Sequence, residues 1–235
     1  MFKLLSTANP KIQKGTKMGY LSFILHLAPA DLSGRETCPK RTVGCTAACL
    51  NTAGRGGMFK RGENTNMIQK ARIRKTKYFF EDRDAFMLDL AYDIQKAIRF
   101  AERKGLTPVF RLNGTSDLSW EKYEVPVFCT KNIFELFPNV QFYDYTKVLG
   151  RKVKDIPNYH LTFSKADGND ADVAEALLQG MSVVAVYDKI PAGVPSADET
   201  DLRFLDPKGV MLGLKAKGRA KKDYTGFVIR VKEVA

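Results

Sequence analysis

From Gly19 to Leu27 the chain reads Gly-Tyr-Leu-Ser-Phe-Ile-Leu-His-Leu, a run rich in β-formers that ends at Ala-Pro and predicts a buried strand. Further on, Phe86, Leu90, Ile94, Ala97 and Ala101 recur at helical spacing within Asp82 to Lys104, and Gly105 follows as a terminator. Asn64 to Phe80 reads as a second helix. Thr107 to Leu112, Val140 to Tyr145, Tyr159 to Phe163 and Ser182 to Tyr187 are β-like runs that each close in polar residues. Asn169 or Asp170 caps a short helix that runs through Leu178 and stops at Gly180. A long loop over residues 189 to 208 then leads to two last β-like runs, Gly209 to Leu214 and Gly226 to Val231.

Strands alternating with helical stretches predict βα units. The expected fold class is therefore α/β, with a mostly parallel sheet or a partial (β/α) barrel and a cysteine-bearing loop after the first strand. The 235 residues suffice for one sizeable core, and no repeat, low-complexity tract or boundary interrupts them, so residues 1–235 are expected to form a single domain. No apolar run reaches the roughly 18 residues that cross a bilayer, and the opening Met-Phe-Lys-Leu-Leu lacks a basic leader and a secretory core. Both point to the cytoplasm and to no membrane partner.

Residues 31 to 63 break the periodic pattern. They are rich in glycine and proline (Gly34, Pro39, Gly44, Gly54, Gly56, Gly57, Gly62), so something other than a regular ladder must order them. A bound cofactor would do so. Three of the four cysteines fall here, in Cys38-Pro-Lys-Arg-Thr-Val-Gly-Cys45-Thr-Ala-Ala-Cys49, with gaps of six and three residues. Such gaps let one loop wrap a single metal centre with three thiolates, and the clustering suits a reducing compartment better than a disulfide framework. Lys40 and Arg41 would offset the charge of a thiolate-ligated cluster, and Gly44 would let the backbone approach the sulfurs.

A cubane held by three cysteines leaves one iron without a protein thiolate, where a small molecule can be ligated. A [4Fe-4S] cluster is the favoured reading. Zinc competes, with His26 or Cys129 as a fourth ligand, although the paired C-x2-C knuckles usual for zinc are absent. Cys129, beside Val127 and Phe128, otherwise reads as a small buried hydrophobe. Asn51 to Gly57 either presents backbone N–H groups to an anion or simply supplies a tight path around the cysteines.

The segment Arg111-Leu-Asn113-Gly-Thr-Ser116-Asp117 ends a predicted strand with a cation, an amide, a hydroxyl and a carboxylate, where α/β folds position ligands. Asp144, Tyr145, Ser164, Lys165 and Asp188 close the later strands in the same manner. Arg111, Asn113, Ser116, Asp117 and Lys165 are accordingly the candidate substrate-binding residues, with a capping role for Asn113 and Asp117 as the structural alternative. With His26 and His160 as the only histidines, no Ser-His-Asp triad or H-E-x-x-H motif can be assembled, which argues against ordinary hydrolytic chemistry.

The formal net charge of +12 favours encounter with nucleic acid, nucleotides or other anions. Cations concentrate in Lys60 to Lys77 and in Lys215 to Lys222. An alternative function follows: a basic nucleic-acid-binding protein in which the cysteines hold zinc or a structural cluster and Arg72, Arg74, Lys75 and Lys77 meet phosphates.

The passages Leu27-Ala-Pro-Ala-Asp-Leu-Ser-Gly34, Cys49-Leu-Asn-Thr-Ala-Gly-Arg-Gly-Gly-Met58, Ala71-Arg-Ile-Arg-Lys75, Arg111-Leu-Asn-Gly-Thr-Ser-Asp117 and Gln141-Phe-Tyr-Asp-Tyr-Thr-Lys147 resemble the phage-encoded gene product 88 family nearly end to end. That resemblance implies the host-cell cytoplasm as the site of action and no particular activity. Cys38, Cys45 and Cys49 also give the chain a likeness to radical S-adenosylmethionine enzymes, which hold a three-cysteine [4Fe-4S] cluster in the loop after the first strand of a partial barrel. The spacing here differs from the usual C-x3-C-x2-C, and the Gly-Gly-Glu strand motif for the methionine moiety of that cofactor is missing. This second likeness implies a cluster, an architecture, and a redox or radical enzyme acting on a small molecule or nucleotide, with S-adenosylmethionine as its associated cofactor.

Overall fold

The computed structural model of the protein describes residues 3–7, 10–126 and 131–231. Its strands are β1 (Leu5–Ser6), β2 (Tyr20–Leu25), β3 (Thr107–Arg111), β4 (Gln141–Thr146), β5 (Tyr159–Ser164), β6 (Val183–Tyr187), β7 (Met211–Lys215) and β8 (Val228–Ile229). They form one mixed sheet in the order β1-β2-β3-β4-β5-β6-β7, with β8 joined to β6. β1 runs antiparallel to β2, and every later pairing is parallel. Among the described residues no pairing joins β1 to β7, so the sheet is open.

The place of β8 follows from register. β7 occupies one edge of β6 along Val183–Tyr187. On the other edge β5 pairs only with Val183 and Val184, and β8 takes Val186 and Tyr187. β5 and β6 therefore part toward their carboxyl ends, and β8 fills the gap.

Helices α1 (Pro10–Lys17), α2 (Ala30–Ser33), α3 (Val43–Ala47), α4 (Met67–Glu81), α5 (Arg83–Glu102), α6 (Ile133–Leu136) and α7 (Asp170–Leu178) fill the connections. Asn66 caps α4 by accepting from the Gln69 amide, and Asp82 ends α4 and caps α5 by accepting from the Ala85 amide. The apolar stripe of α5 is buried as its spacing predicts, with Phe86, Leu90, Ile94 and Ala101 fully withdrawn from solvent. It faces Phe23, Phe110 and Phe142, whose rings lie 5.3 and 5.5 Å apart in succession. Each such aromatic or aliphatic side chain contributes about 1.5–3 kcal/mol through burial.

The long loop between β6 and β7 covers a different part of the sheet. Leu202 packs with Val109 and Tyr143, and Ala197 with Val184 and Leu212. The loop is tied down because Ala197 donates its amide to Gly213 O at 2.8 Å and Gly213 donates to Pro195 O at 2.9 Å.

The short helices α2, α3 and α6 were not anticipated, and neither were β1 and α1. β1 and α1 precede the first predicted strand, so the cysteine loop follows the first strand of the parallel run and the second strand of the chain. β1 is two residues long, too short to show a period, and α1 reads Pro-Lys-Ile-Gln-Lys-Gly-Thr-Lys, with one apolar residue and no stripe. Packing against β2 forms both. β4 and β5 are parallel neighbours although residues 147 to 158 between them contain no helix. Among the described residues no helix is long and apolar enough to cross a membrane.

Candidate functional site

The loop after β2 runs along the carboxyl end of the parallel strands and is fastened at each cysteine by a different part of the fold. Near Cys38, the Thr37 hydroxyl donates to Ala28 O at 3.0 Å, and Thr37 O accepts from the Asp117 amide at 2.7 Å. The Cys38 sulfur lies 3.9 Å from Thr37 Oγ1 and 4.0 Å from Thr115 O. Cys45 sits in α3, which Thr42 caps by accepting from the Cys45 amide at 3.1 Å. Asp167, in the turn after β5, accepts from the Thr42 hydroxyl and from the Gly44 amide at 3.0 Å. A Cβ on Gly44 would come within 2.0 Å of Thr225 Oγ1 and 2.8 Å of Phe227 Cβ, so only glycine lets α3 seat there.

At Cys49, the sulfur accepts from the Asn51 amide at 3.4 Å. Arg72 of α4 donates to Asn51 O at 2.9 Å and to Asn51 Oδ1 at 2.7 Å. Asn66 and Gln69 donate to Gly56 O at 2.9 and 3.1 Å. The glycine segment therefore turns carbonyls toward α4 and takes the tight path that the cysteines require.

The three thiols are free and half-buried. Burial pushes Cys38 up to about 12, and the nearby Asp117, Cys49 and Cys45 act in the same direction. Burial also raises Cys49, with Cys45 and Asp31 reinforcing it and Arg72 opposing. Among the described residues, no three His, Cys, Asp or Glu side chains are gathered closely enough to hold a metal ion as they stand. By chemistry the donor set of three thiols on one loop, with an arginine beside Cys49, suits a thiolate-ligated cluster, and binding would have to displace thiol protons. His26 stands at the end of β2 with its pKa lowered to about 3, first by burial and then by Arg72, Arg111 and Lys75. Cys129 lies outside the described residues.

Arg111, Asn113, Ser116 and Asp117 are brought together, but their polar groups are largely spent on the scaffold. Arg111 pairs with Asp201 at 2.9 Å and lies over the Tyr145 ring, 4.6 Å from its centroid. Asn113 Oδ1 accepts from Ser116 Oγ at 2.9 Å, the Leu118 amide at 2.9 Å and Trp120 Nε1 at 3.0 Å, while its Nδ2 donates to Leu118 O at 2.9 Å. Asp117 Oδ2 accepts from the Lys147 amide at 2.8 Å, and its Oδ1 stands 3.8 Å from Arg151, without a hydrogen bond. Lys165 points elsewhere and pairs with Asp170 at 2.8 Å in the first turn of α7.

Among the later strand-end residues, Asp144 is fully buried and raised to about 7, because burial outweighs Arg111, the Asn113 amide at 2.7 Å and the Tyr159 hydroxyl at 3.0 Å. Ser164 accepts from Lys147 Nζ at 3.2 Å, and Asp188 lies 3.7 Å from Arg230. Sequence reasoning missed Asp167, Asp201 and Arg151, the last paired with Glu121. Each acts on a partner at least 30 residues away, and no local pattern encodes that.

The four α4 cations expected to meet phosphates divide between two faces. Arg72 and Lys75 turn inward, Lys75 donating to Leu4 O at 2.5 Å with its pKa lowered by burial to about 8, while Arg74 and Lys77 are exposed. Thr76 and Phe79, both buried, lie on the inward face, and helical spacing from these two positions already separates the cations.

Fold and loop together define an α/β protein with an open, mostly parallel sheet and a three-cysteine loop at the carboxyl ends of its strands. The chain belongs to the Gene product 88 family, whose model matches residues 3–231. No curated protein and no solved structure matches it.

Proposed function

We propose that Cys38, Cys45 and Cys49 hold a [4Fe-4S] cluster with one iron open to a ligand, and that the protein is a redox or radical enzyme acting on a small molecule or nucleotide. The observation that carries this reading is that a single loop at the carboxyl ends of parallel strands bears three free, half-buried thiols within twelve residues, its stretches pinned separately by Thr37, Asp167 and Arg72. Parallel strands β2 to β7 that follow chain order are compatible with a partial barrel, while the radical S-adenosylmethionine part of the proposal rests on the placement of the cysteine loop alone. When bound, the cluster would supply an electron-transfer centre and a ligand site on its open iron.

The chain's own part is positional. Arg72 beside Cys49 offsets thiolate charge, and Asn113, Ser116 and Asp117 form a wall whose polar groups, Asp117 Oδ1 apart, are committed to one another or to neighbouring groups. Arg111, held by Asp201, adds fixed positive charge beside His26.

The test is iron, sulfide and zinc content with an absorption spectrum, on protein purified without oxygen. Wild type is compared with the Cys38→Ala, Cys45→Ala, Cys49→Ala triple variant. Near-stoichiometric iron and sulfide with a broad band around ~400 nm, lost in the variant, is the expected result. Zinc, or no metal in wild type, overturns it. S-adenosylmethionine is then titrated into the loaded protein, and an unchanged spectrum removes that cofactor from the reading.

A further inference from the structure

The basic turn Gly218–Lys222, far from the cysteine loop in sequence, packs against it in the fold. Ala48 packs with Ala216, Ala220 and Val228. The turn Gly218–Lys222 lies against the turn Leu50–Thr52, which abuts Gly54–Gly57 and, through it, α4. Arg55 lies in that glycine turn, Lys60 and Arg61 follow it a few residues on, and Arg219, Lys221 and Lys222 lie in the turn that packs on the cysteine loop. All six are exposed, and none takes part in an ion pair among the described residues.

An aromatic ring stands beside this charge. Tyr224 is 87% exposed, and the Arg230 guanidinium covers one side of its ring at 5.0 Å from the centroid. Arg230 is itself fixed, donating to Lys221 O at 2.9 Å and Asp223 O at 2.7 Å and lying 3.7 Å from Asp188. The ring is therefore supported from behind, with its other face open.

We propose that this composite surface binds single-stranded nucleic acid, with the exposed cations on phosphates and Tyr224 stacked on a base. Exposed cations attract a polyanion by releasing its counterions, and an aromatic face that is open on one side takes an unpaired base whatever its identity. A duplex, whose bases are already stacked, offers the ring nothing. The cations lie on separate irregular turns rather than along a helix with an apolar face, which disfavours an anionic membrane as the partner. The inference is independent of the cluster and relocates the nucleic-acid interface from α4 to the turns around the cysteine loop.

The experiment is fluorescence anisotropy of the full chain with a labelled thymidine homopolymer of about 20 nucleotides, a duplex of equal length as competitor, and salt varied from about 50 to about 200 mM. Wild type should bind the single strand in preference to the duplex and weaken steeply with salt. Replacing Arg219, Lys221 and Lys222 with Ala should weaken binding at least about tenfold at low salt and flatten the log–log slope by about 0.7 for each phosphate no longer neutralised. Tyr224→Ala should weaken binding about tenfold with the slope unchanged, and Tyr224→Phe should retain it. Arg74→Ala with Lys77→Ala should bind like wild type. Glutamine replacements at the three basic positions serve if the alanine variant melts early. Duplex preference, loss of binding in the Arg74 and Lys77 variant alone, unchanged binding in both the basic and the Tyr224 variants, or sedimentation with phosphatidylserine vesicles without oligonucleotide binding would each overturn the proposal.

Discussion

Asp167 accepts hydrogen bonds from the Thr42 hydroxyl and, at 3.0 Å, from the Gly44 amide, and so ties the turn after β5 to the short helix that carries Cys45. Its carboxyl is held below the usual range by these donors, which outweigh its partial burial. The interaction joins residues more than a hundred positions apart and sets where one of three thiols stands.

Replacing Asp167 should therefore loosen the cysteine loop before it unfolds the protein. Asp167→Ala is expected to cost about 1–3 kcal/mol and to raise the alkylation rate of Cys45 well above that of Cys38, as read by mass spectrometry of native protein. Asp167→Asn, which keeps an acceptor, should lie between. Equal acceleration at all three cysteines would mean that Asp167 supports the fold generally and does not position Cys45.

The Arg111–Asp201 pair is buried on both sides, so removing one partner strands the other charge. Asp201→Ala should cost about 3–5 kcal/mol in urea unfolding, while Arg111→Met combined with Asp201→Leu should cost clearly less than the two single changes summed. Strict additivity would show that the pair is not energetically coupled.

Asp144 gives the protein a titration near neutrality. Its folded pKa of about 7 lies above the ordinary carboxyl value of 3.8, so it binds its proton more tightly folded than unfolded. The stability it contributes is complete below pH 3.8 and is lost as pH rises through about 7. Asp144→Asn has no such titration, and the other groups cancel in the comparison. The stability advantage of wild type over Asp144→Asn should shrink by up to about 1.4 kcal/mol per pH unit across that interval and level off above it. A difference that stays constant with pH would mean that Asp144 remains ionised in the fold.

The sequence by itself determined the parts of the protein whose cause is local. The stripe Phe86, Leu90, Ile94, Ala97, Ala101 made α5, the β-rich runs made β2 through β7 to within two residues at each end, and the crowding of Cys38, Cys45 and Cys49 marked the loop. Periodicity is a property of neighbours in the chain, and so it can be read there. β1 and α1 escaped because their stability comes from β2 and carries no period of its own. Tertiary structure alone decided which groups are available at the site. Asn113 is spent on its surroundings, Asp117 is committed through Oδ2 alone, Lys165 was drawn away by Asp170, and the cations of α4 were divided between interior and solvent. It alone brought Asp167 to Gly44 and the turn Gly218–Lys222 to the cysteine loop. Side-chain partners across a sheet are set by strand order and register, and these depend on interactions between distant segments that no local pattern records.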